Sequence, residues 1–184
     1  MALKSAKMYK RHPFDEFRDR VPSSLRSNRR VMGKPVKFPG VNEELQKVLD
    51  ANMDQVDARR RAREAFKNIQ LSIDHCLFKI PYEGLKMEES YEVNSRGLEI
   101  FSRSWLPETP KAVVCFCHGY GDTCTFFFEG IARKLASSGY GVFAMDYPGF
   151  GLSEGLHGYI PSFDRLVDDV FEHYSKVKGI SPVY

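Results

Sequence analysis

Two apolar runs, "AVVCFC" at residues 112–117 and "YGVFAMD" at 140–146, flank a segment of helix length, "TFFFEGIARKLASSG". A continuous apolar run suits a strand whose two faces are both buried, which is the situation of a parallel sheet covered by helices. The segment between the runs offers Phe127, Phe128, Ile131 and Leu135 as an inner side and Gly139 as a C-terminal stop. Strand, helix and strand at this spacing predict a right-handed crossover, which the rest of the fold must accommodate. Upstream, "KMEESYEVN" and "GLEIFSRSWLP" read as two strands joined by the turn "SRG", with Gly97 supplying a positive φ or a bulge. Downstream, "SFDRLVDDVFEHYSKVKG" reads as a helix capped by Ser162, with Phe163, Leu166, Val167, Val170, Tyr174 and Val177 on one stripe. The expected class is α/β, a hairpin followed by β-α-β-α.

The chain ahead of this domain divides in two. Residues 1–40 carry 11 Lys/Arg against three Asp/Glu in a chain whose net charge is only +3, so the remainder is acidic. That balance argues against nucleic acid or an anionic membrane as partner of the globular part. The segment lacks a sustained period, is broken by Pro13, Pro22, Pro35 and Pro39, and is expected to be disordered. Its Arg and Ser content suits an organelle transit peptide, while Asp15, Glu16 and Asp19 go against one, so a transit segment and a plain basic tail both stay open. Residues 41–80 read as an amphipathic helical segment, with Asn42 as cap, Glu43 and Glu44 in the first turn, and Val41, Leu45, Val48, Leu49, Val56, Phe66 and Ile69 near a helical period. The run "RRRAR" at 59–63 is expected to be a solvated charged face.

The chain has no apolar run of about 18 residues and no secretory h-region. An intracellular protein without a transmembrane segment is therefore expected, plastidial if the extension is a transit peptide and otherwise cytoplasmic. Cys76, Cys115, Cys117 and Cys124 form no regular framework and are expected as reduced thiols, the buried ones acting as small apolar residues. C-x-C-H at residues 115–118 lacks the reach around a tetrahedral ion, so neither a metal nor a cofactor is expected. Oligomeric state is left open.

Chemistry concentrates in two loops that the pattern places at the carboxyl ends of the crossover strands, where ligands bind in open α/β sheets. In "HGYGDT", residues 118–123, two glycines let the backbone turn sharply and present N–H groups outward, as an oxyanion needs; an ordinary tight turn uses the same residues. The second loop, "DYPGFGLSEG" at 146–155, ends in G-x-S-x-G. A nucleophile elbow needs a strand running into the first glycine and a helix starting at once. Here the strand ends at Asp146, Pro148 and Gly149 intervene, and no helix begins before Pro161, so Ser153 is not expected to be a nucleophile.

With "HGYGDT" behind a V-V-C-F-C strand and "LASSGYGVFAMDYPGFGLSEG" following, residues 85–184 resemble the monoacylglycerol lipase and lysophospholipase branch of the α/β-hydrolases, in particular the plant group that includes caffeoylshikimate esterase. Gly121 stands where epoxide hydrolases and dehalogenases usually carry proline, which favours an ester hydrolase. The resemblance implies that the Tyr120 N–H is one donor of the oxyanion hole, with His118, Gly119 and Gly121 shaping the loop. It implies a structural role for Asp146, Gly149, Gly151, Ser153 and Gly155, which match the family's D-x-x-G-x-G-x-S-x-G loop, with the nucleophile on the next strand. It also implies that 81–184 is an incomplete domain holding none of the triad. The chain alone would be inactive, and the complete protein would act on a small-molecule ester or lipid such as an acylglycerol, a lysophospholipid or another carboxylic ester. The alternative is a truncated non-catalytic isoform acting at most as a binding module. His157 and His173 have no serine and acid assigned beside them, and His173 is expected to be solvated.

Overall fold

The structure, a computed structural model, describes residues 39–179 apart from Tyr82. The expectation for the basic extension therefore falls outside the described residues except at Pro39 and Gly40. Internal contacts divide the chain into Met1–Pro39 and Gly40–Tyr184, and the elements that follow all lie in the second unit.

Two helices come first. α1, Glu43–Leu49, is capped by Asn42, whose Oδ1 accepts from Leu45 N–H at 2.8 Å. α2 spans Val56–Ser72. A single helix over this stretch is expected from the spacing, but the chain breaks between them. Asn52 turns its Oδ1 onto the Asp54 N–H at 3.1 Å, a local bond that competes with helical pairing. A 3₁₀ turn at Cys76–Lys79 leads into the sheet.

β1, Lys86–Val93, and β2, Glu99–Leu106, form the antiparallel hairpin, turning through Gly97 at φ 76°. β3 is Ala112–Phe116, α3 is Phe127–Ser137, β4 is Tyr140–Met145 and α4 is Phe163–Ser175, followed by a 3₁₀ turn to Gly179. Gly139, at φ 90°, ends α3, and Ser162 Oγ accepts from Arg165 N–H at 3.2 Å to start α4. The sheet runs β1-β2-β4-β3, with β4 antiparallel to β2 and parallel to β3. The crossover expected between the two apolar runs is therefore the one that forms, and the class is α/β.

The pleat sends alternate side chains to two cores. Phe101, Trp105, Val142 and Ala144 pack under α3 with Phe128, Ala132 and Ala136, while Ile100 and Met145 meet Tyr147 and Phe150 on the α4 side. The inner face of α3 is rotated from the expected one. Phe128 is buried and stacks on Phe116 at 3.5 Å between ring centroids, whereas Phe127 and Ile131 are exposed. Phe128, Ala132 and Ala136 face the sheet, while Gly130 lies on the far side of the helix, where the 3₁₀ turn passes so close that a Cβ would collide with Leu77. α4 likewise leaves Phe163, placed on the inner stripe by sequence, 74% exposed. β3 departs furthest from expectation. It is paired only with β4 among the described residues, so Ala112 and Cys115 are exposed rather than buried on both faces.

Candidate active site

The parallel pair β3 and β4 delivers two loops to the same end of the sheet: residues 118–123 after β3 and 146–158 after β4. Three connections lace them together. Asp146, fully buried, accepts Cys124 N–H on Oδ1 at 2.7 Å and Leu152 N–H on Oδ2 at 2.9 Å, so one carboxylate ties the end of the first loop to the middle of the second. Burial pushes the Asp146 carboxyl up, against the pull of these two N–H groups. Tyr147 N–H donates to His118 Nε2 at 3.0 Å, with the two rings 3.8 Å apart between centroids. Tyr120 Oη donates to Gly158 O at 2.8 Å while its ring meets Phe150 edge-on.

The bonds of His118 determine its tautomer. A main-chain N–H can only donate, so Nε2 is an acceptor; Nδ1 lies 2.8 Å from Gly119 O, which can only accept, so Nδ1 carries the proton. Both ring nitrogens are occupied and the side chain is buried, which leaves no nitrogen to exchange protons with a substrate. The backbone of the loop behaves differently. Gly121, at φ 79°, and the bond from Asp122 N–H to Gly119 O turn the chain so that Tyr120 sits at an exposed tip, and its N–H has no acceptor among the described residues.

Ser153 is fully buried, and its hydroxyl is used twice, donating to Asp146 O at 2.6 Å and accepting Phe101 N–H at 2.8 Å. Gly149 and Gly151 hold φ of 83° and 46°, and a Cβ on Gly151 would collide with the Asp146 carboxylate. Gly155, at φ 122°, would bring a Cβ to 2.6 Å from Gly149 N. The glycine loop is thus wound tightly about Asp146, and Asp146, Gly149, Gly151, Ser153 and Gly155 are brought together.

"RRRAR" is not a solvated face: Arg59 is 7% exposed, and Arg59 and Arg60 of α2 reach the carbonyls of the glycine loop. Reading charge alone missed them; Val56, Arg59, Arg60, Arg63 and Phe66 recur at helical spacing, which marks arginines mixed into an inward face. His173 is not freely solvated either. It lines a cleft between α4 and the β1/β2 face with Glu92, Ser102 and Lys176, and burial pushes its imidazole below the ordinary histidine range. His157 is exposed. Cys115 and Cys117 are exposed and only Cys124 is buried, so two of the cysteines on or beside β3 do not act as core residues. Among the described residues no group of three His, Cys, Asp or Glu is placed to hold a metal ion, and no helix is long and apolar enough to cross a membrane.

Residues 108–184 match a family of hydrolases described as "Serine aminopeptidase, S33". The chain is 35% identical over 104 residues to monoglyceride lipase of Mus musculus, an alignment covering 56% of this chain and 33% of that protein. It is 36% identical over 104 residues to the Homo sapiens monoglyceride lipase, with the same coverage. With caffeoylshikimate esterase of Arabidopsis thaliana it shares 29% identity over 102 residues, 54% of this chain and 30% of that one. The chain thus spans about a third of the length of these relatives. The matched segment forms the β3-α3-β4-α4 unit with its two laced loops, an α/β arrangement consistent with part of an α/β-hydrolase fold, and over that part the chain is similar to monoglyceride lipase and caffeoylshikimate esterase.

Proposed function

We propose that this chain is the N-terminal part of a serine ester hydrolase, acting in the complete protein on acylglycerols, lysophospholipids or related carboxylic esters. The Tyr120 N–H is then one donor to the oxyanion of a tetrahedral intermediate, formed when a serine outside the described residues attacks the ester carbonyl. The observation that carries the reading is that Tyr120 N–H has no acceptor among the described residues and sits at the exposed tip of a loop held at His118 by Tyr147 N–H and at Cys124 by Asp146. A donor fixed before the reaction needs no reorganisation when negative charge develops, which gives such a loop its catalytic value. His118, Gly119 and Gly121 shape the loop, and Asp146, Gly149, Gly151, Ser153 and Gly155 support it from beneath. Ser153 does no chemistry, because its hydroxyl is enclosed and doubly bonded. The names of the relatives supply the substrate class, and residues 1–184 by themselves are inactive in this reading.

The test is to isolate the native gene product, measure its intact mass, and assay it on a monoacylglycerol, a lysophospholipid and a short-chain ester. A product longer than these residues that hydrolyses at least one of the three is expected. A native product of this length without turnover would replace the proposal with the non-catalytic binding module.

A further inference from the structure

We infer that Arg59 and Arg60 of α2 are positioning residues for the candidate site: they cap three successive carbonyls of the glycine loop and so hold the platform on which residues 118–124 rest. Arg59 Nε donates to Gly151 O at 2.7 Å and its Nη2 to Ser153 O at 2.6 Å, while Nη1 reaches back to Met53 O at 2.7 Å. Arg60 covers the carbonyl between them, with Nε and Nη2 at 3.2 and 3.1 Å from Leu152 O, and braces itself on Glu99 at 2.6 Å.

Carbonyls withdrawn from water need donors, and here neither helix nor sheet supplies them. Gly151 is in the left-handed region, so the chain winds around Asp146 and turns the carbonyls of 151–153 toward α2 instead of into a ladder. A guanidinium offers several N–H groups in a fixed fork, and Arg59 uses that fork to bridge two carbonyls two residues apart. The strain of the glycine turn is thereby offset from outside the loop. The consequence passes to the first loop through atoms already placed. Leu152 N–H and Cys124 N–H share the Asp146 carboxylate, Tyr147 N–H holds His118, and Gly158 O holds the Tyr120 ring.

α2 lies outside residues 108–184, the segment matched to the family. The helix ahead of the domain is therefore part of the scaffold of the site. This inference rests on the hydrolase reading only for what the first loop does, not for the clamp itself.

Amide hydrogen exchange on the full 184-residue chain tests it, comparing the wild type with Arg59→Met, Arg59→Lys and Arg60→Met. Losing charged donors to buried carbonyls should raise exchange at Gly149, Leu152, Ser153 and Glu154, and with them Cys124 and Tyr147, by roughly tenfold or more, while amides of α3 and the β3/β4 ladder keep their rates. Arg59→Lys should be as poor as Arg59→Met, since a single ammonium cannot bridge Gly151 O and Ser153 O. Should Arg59→Met fail to fold, the half-exposed Arg60→Met carries the same test, with the change centred on Leu152. Unchanged rates at these amides, a rise shared equally by β3, β4 and α3, or recovery by Arg59→Lys would each overturn the inference. Because exchange reports the clamp directly, failure of the hydrolase reading would show separately, as absent ester hydrolysis by the native product with the exchange response intact.

Discussion

At the scale of single residues, the site depends on Asp146, which receives main-chain donors from two loops, and on Ser153, which receives Phe101 N–H and gives its own proton to Asp146 O. Ser153→Ala leaves a buried N–H and a buried carbonyl without partners, a loss of about 2 to 4 kcal/mol, readable in urea unfolding. Gly151→Ala should cost more, about 4 kcal/mol or above, because it combines a collision with the Asp146 carboxylate and a positive φ. Failure to recover folded protein from Gly151→Ala, with Gly97→Ala in the open hairpin turn tolerated, is the expected pattern. Equal tolerance of the two would mean that the loop is not wound as described. Sequence made this loop legible as glycines and a serine at fixed spacing, and the failed match to an elbow separated Ser153 from a nucleophile. It could not reveal Asp146 as the hub, because the two N–H groups it accepts belong to residues whose identity is irrelevant to the bond.

At the scale of elements, the strands and crossover could be read from apolar runs and turn residues, while the faces of the helices could not. Phe127 and Ile131 fit an inner stripe on α3 as well as Phe128 does, yet Phe128 is the one buried, with the 3₁₀ turn packed against Gly130 on the other side of the helix. Charge misled in the same way at α2, where arginines occupy the inward positions. Arg63 pairs with Glu89 at 2.7 Å and lies over the Phe101 ring, and Arg103 reaches Glu89 at 3.2 Å and also pairs with Glu129, so one carboxylate group of β1 joins α2, β2 and, through Arg103, α3. Burial would raise Glu89, but the Arg63 hydrogen bond and the charges of Arg103 and Arg63 outweigh it and hold the carboxyl below its ordinary value of 4.5. A carboxylate depressed in the folded state contributes stability above its unfolded pKa and loses that contribution as pH falls through the folded one. Glu89→Gln should therefore be less stable than wild type at neutral pH, with the gap closing as pH drops below 4.5. Denaturation midpoints of the two proteins across that range check it; a gap that persists or widens in acid would show that Glu89 acts by packing.

At the scale of the whole molecule, the described sheet ends in two strands, β1 and β3, each paired on one side only among the described residues. β1 at one edge is tied to α2 through Glu89 and Arg63 but is itself largely exposed, and β3 ends the described sheet at the other edge with Ala112 and Cys115 exposed and Cys117 just beyond it. Cys124, by contrast, is fully buried, and burial and then Asp146 push its thiol well above the ordinary range. Alkylation of the native 184-residue chain should accordingly modify Cys115 and Cys117 at least roughly tenfold faster than Cys124, since both are exposed while Cys124 is enclosed and its thiolate suppressed. Comparable rates for the three would mean that β3 is covered. In the proposed function the two loops form one side of an ester-hydrolase site in which Ser153 is structural. A fluorophosphonate probe, which labels activated serines, followed by mass-spectrometric mapping of the labelled peptide, tests it most directly. On residues 1–184 no adduct is expected at Ser153, and on a native product that carries these residues and hydrolyses esters an adduct is expected on a serine elsewhere. A stoichiometric adduct on Ser153 that is lost in Ser153→Ala would contradict it.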